Sequence, residues 1–472
     1  MRLNTLILTA LIFAACQWLG VANAQPQDFR IIQSNLGPPF VELRASSAPI
    51  LPEEPESAER ELLKKQFAAG RYEEAVASAQ AMLQMALAEF GDGDSRIVPA
   101  LIDLGTSQHY AENYQAAQNA YTQAVELLGV ERDTRDPRLA RPLHGLGVAQ
   151  YAAGNYAQAV ESLQRAVFVT RVNDGLNSLE QLKYYDALTE ADLAMGLYED
   201  AIARQKARIA VLKRATGSSS PESIAAVEQA ARLYRRMNRY FEERDIRRRQ
   251  LRTIEKSKGY GDISLAPILI ELAATYRLSF EVDLISVGPF DQIIIPIGDR
   301  AAVGDLERAL DILDEHPDIP SLDLRVAALI ELGDFHLTFD ESPRANRYYN
   351  LAYKLLEDAG ETAQIQATFS EPVPVFLPRP ESAPEVGGQP AAGLPKGYVL
   401  LEFNLGVTGR PRNVQALELE PASIGIMRVR GERAMRGAKF RPAFGPNGPE
   451  KRSGLRYKLE FNYVPTNAST SG

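Results

Sequence analysis

Between residues 57 and 359 apolar side chains recur three or four positions apart, and polar ones fill the intervals. That is the period of amphipathic helices. The pattern itself repeats every 42 residues. Tyr72, Tyr114, Tyr156, Tyr198 and Tyr240 stand in one column. Leu62, Leu104, Leu146, Leu188, Ala230 and Leu272 form a second, and Ala75, Ala117, Ala159 and Ala201 a third. Within one unit, residues 97–104 open an apolar helix, the small Gly105 and then Tyr110 follow, and Glu112-Asn113-Tyr114 interrupts the pattern. A second run continues from Gln115 through Ala117, Tyr121 and Ala124 to Leu128. The next unit repeats this with Leu146-Gly147, Gly154-Asn155-Tyr156, Ala159, Leu163 and Ala166. Small residues let neighbouring helices approach closely, and neither helix buries its apolar face alone. The expectation is a mainly α chain built on an α-solenoid in which each repeat needs its neighbours.

The unit resembles the tetratricopeptide repeat: Leu104-Gly105, then Tyr114, Ala117, Tyr121 and Ala124. That repeat usually spans about 34 residues. At 42 the helices gain about a turn each, as in kinesin light-chain-like variants. The fourth unit departs with Leu188-Thr189, and the fifth with Ala230-Ala231 and Glu243. The register then breaks: residues 279–303 form an apolar insertion, and Leu306 takes the tyrosine column. A seventh unit follows with Leu332-Gly333, Ser342, Ala345, Tyr349 and Ala352, so about seven helix pairs are expected over 57–359. The insertion is either a docking element or a segment packed on adjacent helices through Ile293, Ile294 and Ile295.

The resemblance implies a peptide-binding concave face lined by the first helix of each unit. Its positions here are Ile102, Thr106 and His109, then Arg141, His144, Val148 and Tyr151. Lys183, Asp186 and Glu190 follow, then Glu228, Arg232 and Arg235. His109 and His144 fall in neighbouring rows, but a metal needs a third ligand that the spacing does not supply. They read as surface histidines, and no metal or other cofactor is expected.

The chain's two ends differ from the repeats. Residues 1–24 combine Arg2, a short apolar core over 6–15 and Ala22-Asn23-Ala24, the pattern of a secretory signal peptide. The apolar run is short for a membrane span. Ala14-Ala15-Cys16 also permits lipid attachment at Cys16, and an uncleaved amino terminus would anchor the chain in a membrane. Cys16 is the one cysteine, so cleavage after Ala24 leaves no thiol chemistry. Residues 25–56 are polar and end in an acidic run, a flexible leader. Residues 360–395 read as a Pro-rich, extended linker.

A small domain over 396–464 follows, with a short disordered tail at 465–472. Residues 398–405 alternate as a strand, 414–419 form a second, 421–437 a helix opened by Pro421, and 455–463 a third strand. The order is ββαβ, an α+β domain. With Gly406-Val407-Thr408-Gly409-Arg410-Pro411 after the first strand and Phe440-Arg441-Pro442-Ala443 after the helix, it resembles the TonB carboxy-terminal domain. That family pairs with a peptide of outer-membrane transporters by strand addition. The resemblance makes Leu455, Tyr457, Leu459, Phe461 and Tyr463 the candidate strand-pairing edge. The family's energy transducers also keep an amino-terminal membrane helix with a functional His, and the first 24 residues contain no His.

Charge separates along the chain. The net charge is −9, yet from Gly393 onward there are 13 Lys and Arg against 6 Glu. The basic domain suits an acidic partner, an anionic cell-wall polymer or its own array. Arg428, Arg430, Arg433 and Arg436 on the domain's helix read as an anion-binding or a solvated face. The sequence carries no phosphate-cradling Gly-rich loop with Lys, no His-Glu-x-x-His, no nucleophile elbow and no Cys pair. The expected function is a non-enzymatic, periplasmic protein–protein interaction adaptor of a Gram-negative cell envelope. Its expected partners are a periplasmic or outer-membrane protein or peptidoglycan, with no nucleic acid and no small-molecule substrate. The alternatives are a TonB-type energy transducer for transport across the outer membrane and a cell-wall-associated scaffold.

Overall fold

The computed structural model describes residues 58–130, 135–285, 299–378 and 395–463. The signal-like segment 1–24, the leader 25–56 and the tail 465–472 lie outside the described residues. So do residues 286–298 of the insertion and 379–394 of the linker. The chain divides into two compact units, Pro38–Met237, and Asn238–Gly472 together with Met1–Gly37.

Pro38–Met237 holds α1 (Ala58–Ala68), α2 (Tyr72–Phe90), α3 (Val98–Tyr110), α4 (Tyr114–Val130), α5 (Ala140–Ala152), α6 (Tyr156–Asp174), α7 (Gln181–Ala194), α8 (Tyr198–Thr216) and α9 (Pro221–Arg236). Each helix packs on the next along the chain. Asn238–Gly472 continues with α10 (Tyr240–Lys258), α11 (Ala266–Ile285), α12 (Asp299–Glu315), α13 (Leu322–Thr338), α14 (Ser342–Asp358) and α15 (Thr362–Phe369). Pro38–Met237 thus supplies four helix pairs among the described residues, α1/α2 through α7/α8, and Asn238–Gly472 supplies two, α11/α12 and α13/α14.

The repeat pattern has a backbone cause. Each of the five tyrosines is the first residue of α2, α4, α6, α8 or α10. Two positions earlier the chain turns through the left-handed region, at Gly70, Glu112, Gly154, Gly196 and Asn238, with φ between 57° and 84°. The next amide then donates back across the turn: Asn113 to the Gln108 carbonyl at 2.9 Å and Asn155 to that of Gln150 at 2.8 Å. This six-residue closure satisfies carbonyls that the ending helix leaves without partners. Asp340, with φ 66°, makes the same turn ahead of α14.

Tyr121 shows how the small residues are used. Its ring is 1% exposed and packs against Gly105 of α3 and Gly145 of α5. Its hydroxyl lies 2.9 Å from the Thr106 Oγ1. The helices that open each pair are buried on nearly every side. In α3, Val98, Ala100 to Asp103 and Gly105 to Gln108 are all buried. Some of their polar groups are bonded internally, as in the ion pair of Arg60 with Asp103 at 2.6 Å.

The insertion is shorter than the sequence suggests. Helix α11 runs on to Ile285 and α12 starts at Asp299, five residues before Gly304. Over its described residues the Pro-rich segment departs from the expected extended linker. It contains α15 and the strand β1 (Val373–Phe376), which pairs antiparallel with β4 (Lys439–Arg441). Pro374 is tolerated because β1 pairs on one side only, where a missing N–H costs no ladder bond.

The carboxy-terminal sheet has β2 (Lys396–Leu405) at its centre, flanked by β3 (Pro411–Glu420) and β7 (Arg452–Asn462), all antiparallel. β5 (Phe444–Gly445) and β6 (Gly448–Pro449) form a short hairpin. Helix α16 (Ile426–Gly437) covers one face of the sheet and buries Met427, Gly431, Ala434 and Met435. Pro421 does not open this helix: the Glu420–Pro421 bond is cis, and the helix begins five residues later.

Candidate functional site

The positions proposed for the concave face divide by burial. Ile102, Thr106, His144, Val148, Asp186, Glu190 and Arg235 are buried, and His109, Tyr151, Lys183, Glu228 and Arg232 are half-buried. Only Arg141 is exposed. Thr106 is bonded to Tyr121, and Asp186 lies 2.6 Å from Arg208 in a buried ion pair. Lys183 pairs with Glu180 at 2.5 Å and stands 5.4 Å from the ring centre of Tyr184. Tyr151 packs on Tyr156 at 5.4 Å. The opening helix of a pair is enclosed by its own partner and the next pair, so its inward positions are used in packing.

The histidines are not surface groups. His144 is 4% exposed and packs edge-on against Tyr184 at 5.2 Å. His109 stands between Tyr110 at 5.7 Å and Tyr114 at 5.5 Å. No cluster of three metal-ligating side chains occurs among the described residues. Burial pushes the His109 imidazole down from its ordinary 6.5 to about 4. Unfolded chain takes up this proton near 6.5 and folded chain only near 4, so the stability conferred by the neutral ring declines as pH falls across that window. Replacing His109 with Gln should therefore lessen the loss of stability between pH 7 and 4.5 by about 1–2 kcal/mol, as read from denaturant midpoints. An unchanged pH dependence would mean that His109 does not carry this burden.

An open cleft of about 490 Å³ does exist in Pro38–Met237, away from most of those positions. It lies between the start of α7, the last turns of α8 and one face of α9. Leu179, Leu182, Leu212, Ala225 and Ala226 make its apolar wall, and Arg208, Thr216, Glu222, Gln229 and Arg232 its polar one. Arg232 alone was among the expected positions. Arg208, Leu212 and Thr216 fall four apart on α8, and Glu222, Ala225, Ala226, Gln229 and Arg232 share one face of α9. Those two stripes were the signal available in the sequence. Arg208 Nη1 and Arg232 Nε are buried with no hydrogen-bond partner among the described residues. A buried N–H without an acceptor is costly, so both favour a ligand that brings oxygen atoms. Phe168, Val172, Leu176 and Leu179 are exposed apolar side chains on the approach from α6 to α7, and Leu179 continues into the cleft.

The carboxy-terminal sheet presents two edges, β3 and β7. On β3 the Ala416 amide donates to Glu432 Oε1 at 3.2 Å, and its carbonyl accepts from Arg428 Nη1 at 3.2 Å. Side chains of α16 thereby occupy that edge. β7 is paired by β2 on one side. Of the residues expected to mark this edge, Tyr457, Leu459 and Phe461 are buried in the domain's core, and Leu455 and Tyr463 pack against it. A partner strand would meet the β7 backbone rather than these side chains.

The small domain is not carried on a free tether. Within Asn238–Gly472 it is docked on α13 and α14. Arg441 of β4 donates to both Asp334 oxygens, at 3.1 and 2.9 Å, and the Tyr349 hydroxyl donates to the same carboxylate at 2.8 Å. Arg277 of α11 forks onto Glu331 at 2.7 and 2.9 Å and reaches the Val375 carbonyl of β1 at 3.3 Å. Burial opposes the charge on both arginines, but Asp334 and Glu331 outweigh it and hold the guanidinium groups protonated. Phe444 packs on Tyr349 and Phe369. Ser342 and Asn346 donate to the carbonyls of Thr408 and Val407. The buried carboxylates of α13 need cations, and Arg441 of the small domain and Arg277 of α11 supply them.

No family model matches the chain, and no curated protein does. Among solved structures, a kinesin-light-chain-type protein of nearly identical TPR-like repeats from Podosopora anserina is 19% identical. The match covers 48% of this chain and 98% of that one, with a TM-score of 0.33. BtubC (BKLC) from P. vanneervenii is 17% identical over 56% of this chain and 94% of that one, TM-score 0.33. The TPR2AB domain of yeast Sti1, in complex with pHSP90, is 15% identical over 66% and 95%, TM-score 0.22. The architecture given above rests on this chain's own helices and turns.

Proposed function

We propose that this protein is a non-enzymatic interaction adaptor whose Pro38–Met237 unit holds an extended polypeptide in the cleft between α7, α8 and α9. The observation that supports it is the pairing of an aliphatic wall with two buried guanidinium nitrogens, Nη1 of Arg208 (whose Nε meets Asp186) and Nε of Arg232, that have no hydrogen-bond partner among the described residues. An aliphatic side chain of the ligand fits Leu182 and Leu212, and backbone or side-chain oxygens fit Arg208 and Arg232. A second contact is the β7 edge, where strand addition needs only backbone N–H and C=O groups. The reading as a periplasmic adaptor joins these two surfaces. Its location rests on the signal-like residues 1–24, and its second partner, an outer-membrane protein or peptidoglycan, on the TonB resemblance of 396–464. Because the small domain is docked, the surfaces in Asn238–Gly472 are presented rigidly and gain nothing from a swinging tether.

A peptide array of random ten-residue sequences, probed with the full chain, tests the cleft. Peptides that bind should carry an aliphatic residue beside acidic or carbonyl-rich ones. Leu179→Asp, at a cleft residue that is 48% exposed, and Arg232→Glu should each weaken them about ten-fold or more without moving the thermal midpoint. Peptides held equally by the wild type and both variants would rule the cleft out as the binding site.

A further inference from the structure

The outward face of α16 is a mixed aliphatic and basic strip. Met427, Gly431, Ala434 and Met435 turn inward, and Gly431 lets the helix lie close on the sheet, where an added Cβ would stand 3.3 Å from Val399. The opposite side carries Ile426, Val429, Arg433 and Arg436, spaced three and four apart. Ile426 is 56% exposed and Val429 53% exposed, a large fraction for β-branched aliphatic residues on a helix already packed by its other face. Arg428, Arg433 and Arg436 are exposed around them. Arg436 meets Glu432 at 2.7 Å, and Glu432 is the one acidic residue in a helix with four arginines. The small domain as a whole holds 13 Lys and Arg against 6 Glu.

We infer that α16 docks this protein on the surface of a bilayer containing anionic phospholipid, with Ile426 and Val429 inserted at the headgroup boundary and Arg433 and Arg436 on lipid phosphates. The face is convex and one helix wide, so it offers a polypeptide no groove to fill. A fluid bilayer needs only shallow apolar side chains flanked by cations, which is what this strip presents. Guanidinium groups suit phosphate oxygens because each can fork onto two of them. No described helix is long and apolar enough to cross a membrane, and the contact proposed is peripheral.

Co-sedimentation of the full chain with phosphatidylglycerol-containing vesicles, beside vesicles of phosphatidylcholine alone, tests this. Binding is expected to the anionic vesicles and not to the zwitterionic ones. Each arginine near an anionic surface contributes a factor of about five, so R433Q/R436Q should weaken the partition coefficient about 25-fold. I426S/V429S should abolish the binding that survives high salt, because screening removes the electrostatic part and leaves the inserted part. All four sites are on the surface, and unchanged thermal midpoints check that the variants fold. Absence of wild-type binding, or equal binding by the variants, overturns the inference. Retention on immobilised polyglutamate that depends on Arg433, with no vesicle binding, overturns it in favour of an acidic polypeptide.

Discussion

Replacing Asp334 with alanine should destabilise the Asn238–Gly472 unit by about 3–5 kcal/mol, the cost of stranding a buried charge. Asp334 and Arg441 are each 7% exposed at their side chains, and the carboxylate accepts from two guanidinium nitrogens and the Tyr349 hydroxyl. Its removal leaves a guanidinium that cannot shed its proton and a buried phenol without an acceptor. Denaturant midpoints measure the loss, and hydrogen exchange locates it: protection in β1 and β4 should fall most. The partner change separates charge from packing. Asp334→Leu combined with Arg441→Met removes both charges, and most of the lost stability should return. If the double variant is as unstable as the single one, the energy lies in packing around Phe444 and Tyr349 instead.

This docking was the part of the structure least legible in the sequence. The repeat is plain because each turn imposes the same requirements at a fixed interval. A left-handed residue two positions before the tyrosine closes one helix and opens the next. Glycine takes that position in three turns, but Glu112 and Asn238 take it in two others, which hides the column from a search for glycine alone. More than half of the expected groove positions are buried, for a physical reason. Spacing says which residues share a face, not whether that face is open. Thr106 and Asp334, each two residues past its unit's recurring leucine, are both bonded to a tyrosine seven residues into the following helix. Nor does proline content show that Val373 to Phe376 pairs with β4, since pairing depends on residues more than 60 positions away. The cleft draws on three helices, and no single periodicity contains it.

Gly145→Ala should be disproportionately costly for one added methyl group, about 2–3 kcal/mol or more. A Cβ at residue 145 would lie 2.3 Å from Cζ of Tyr121, far inside van der Waals contact. The ring has no retreat. A Cβ at Gly105, on the neighbouring helix, would already lie 2.9 Å from it, and the hydroxyl is fixed by Thr106. The strain therefore passes into the spacing of α3, α4 and α5, and close-packed interiors transmit such shifts rather than absorb them. Two companion variants give the outcome its meaning. Tyr121→Phe keeps the ring and should lose only about 1 kcal/mol for the hydrogen bond, so it should not relieve Gly145→Ala. Tyr121→Leu leaves a cavity by itself, and in combination the new methyl group should recover part of that cost, giving a coupling energy of about 1 kcal/mol or more. Purely additive effects would mean that residue 145 acts through helix propensity alone. Glycine is poorer than alanine in a helix interior by about 1 kcal/mol, and on that account Gly145→Ala would be stabilising. The two accounts thus predict opposite signs, and one denaturation experiment decides whether the glycines of this array are there for close approach.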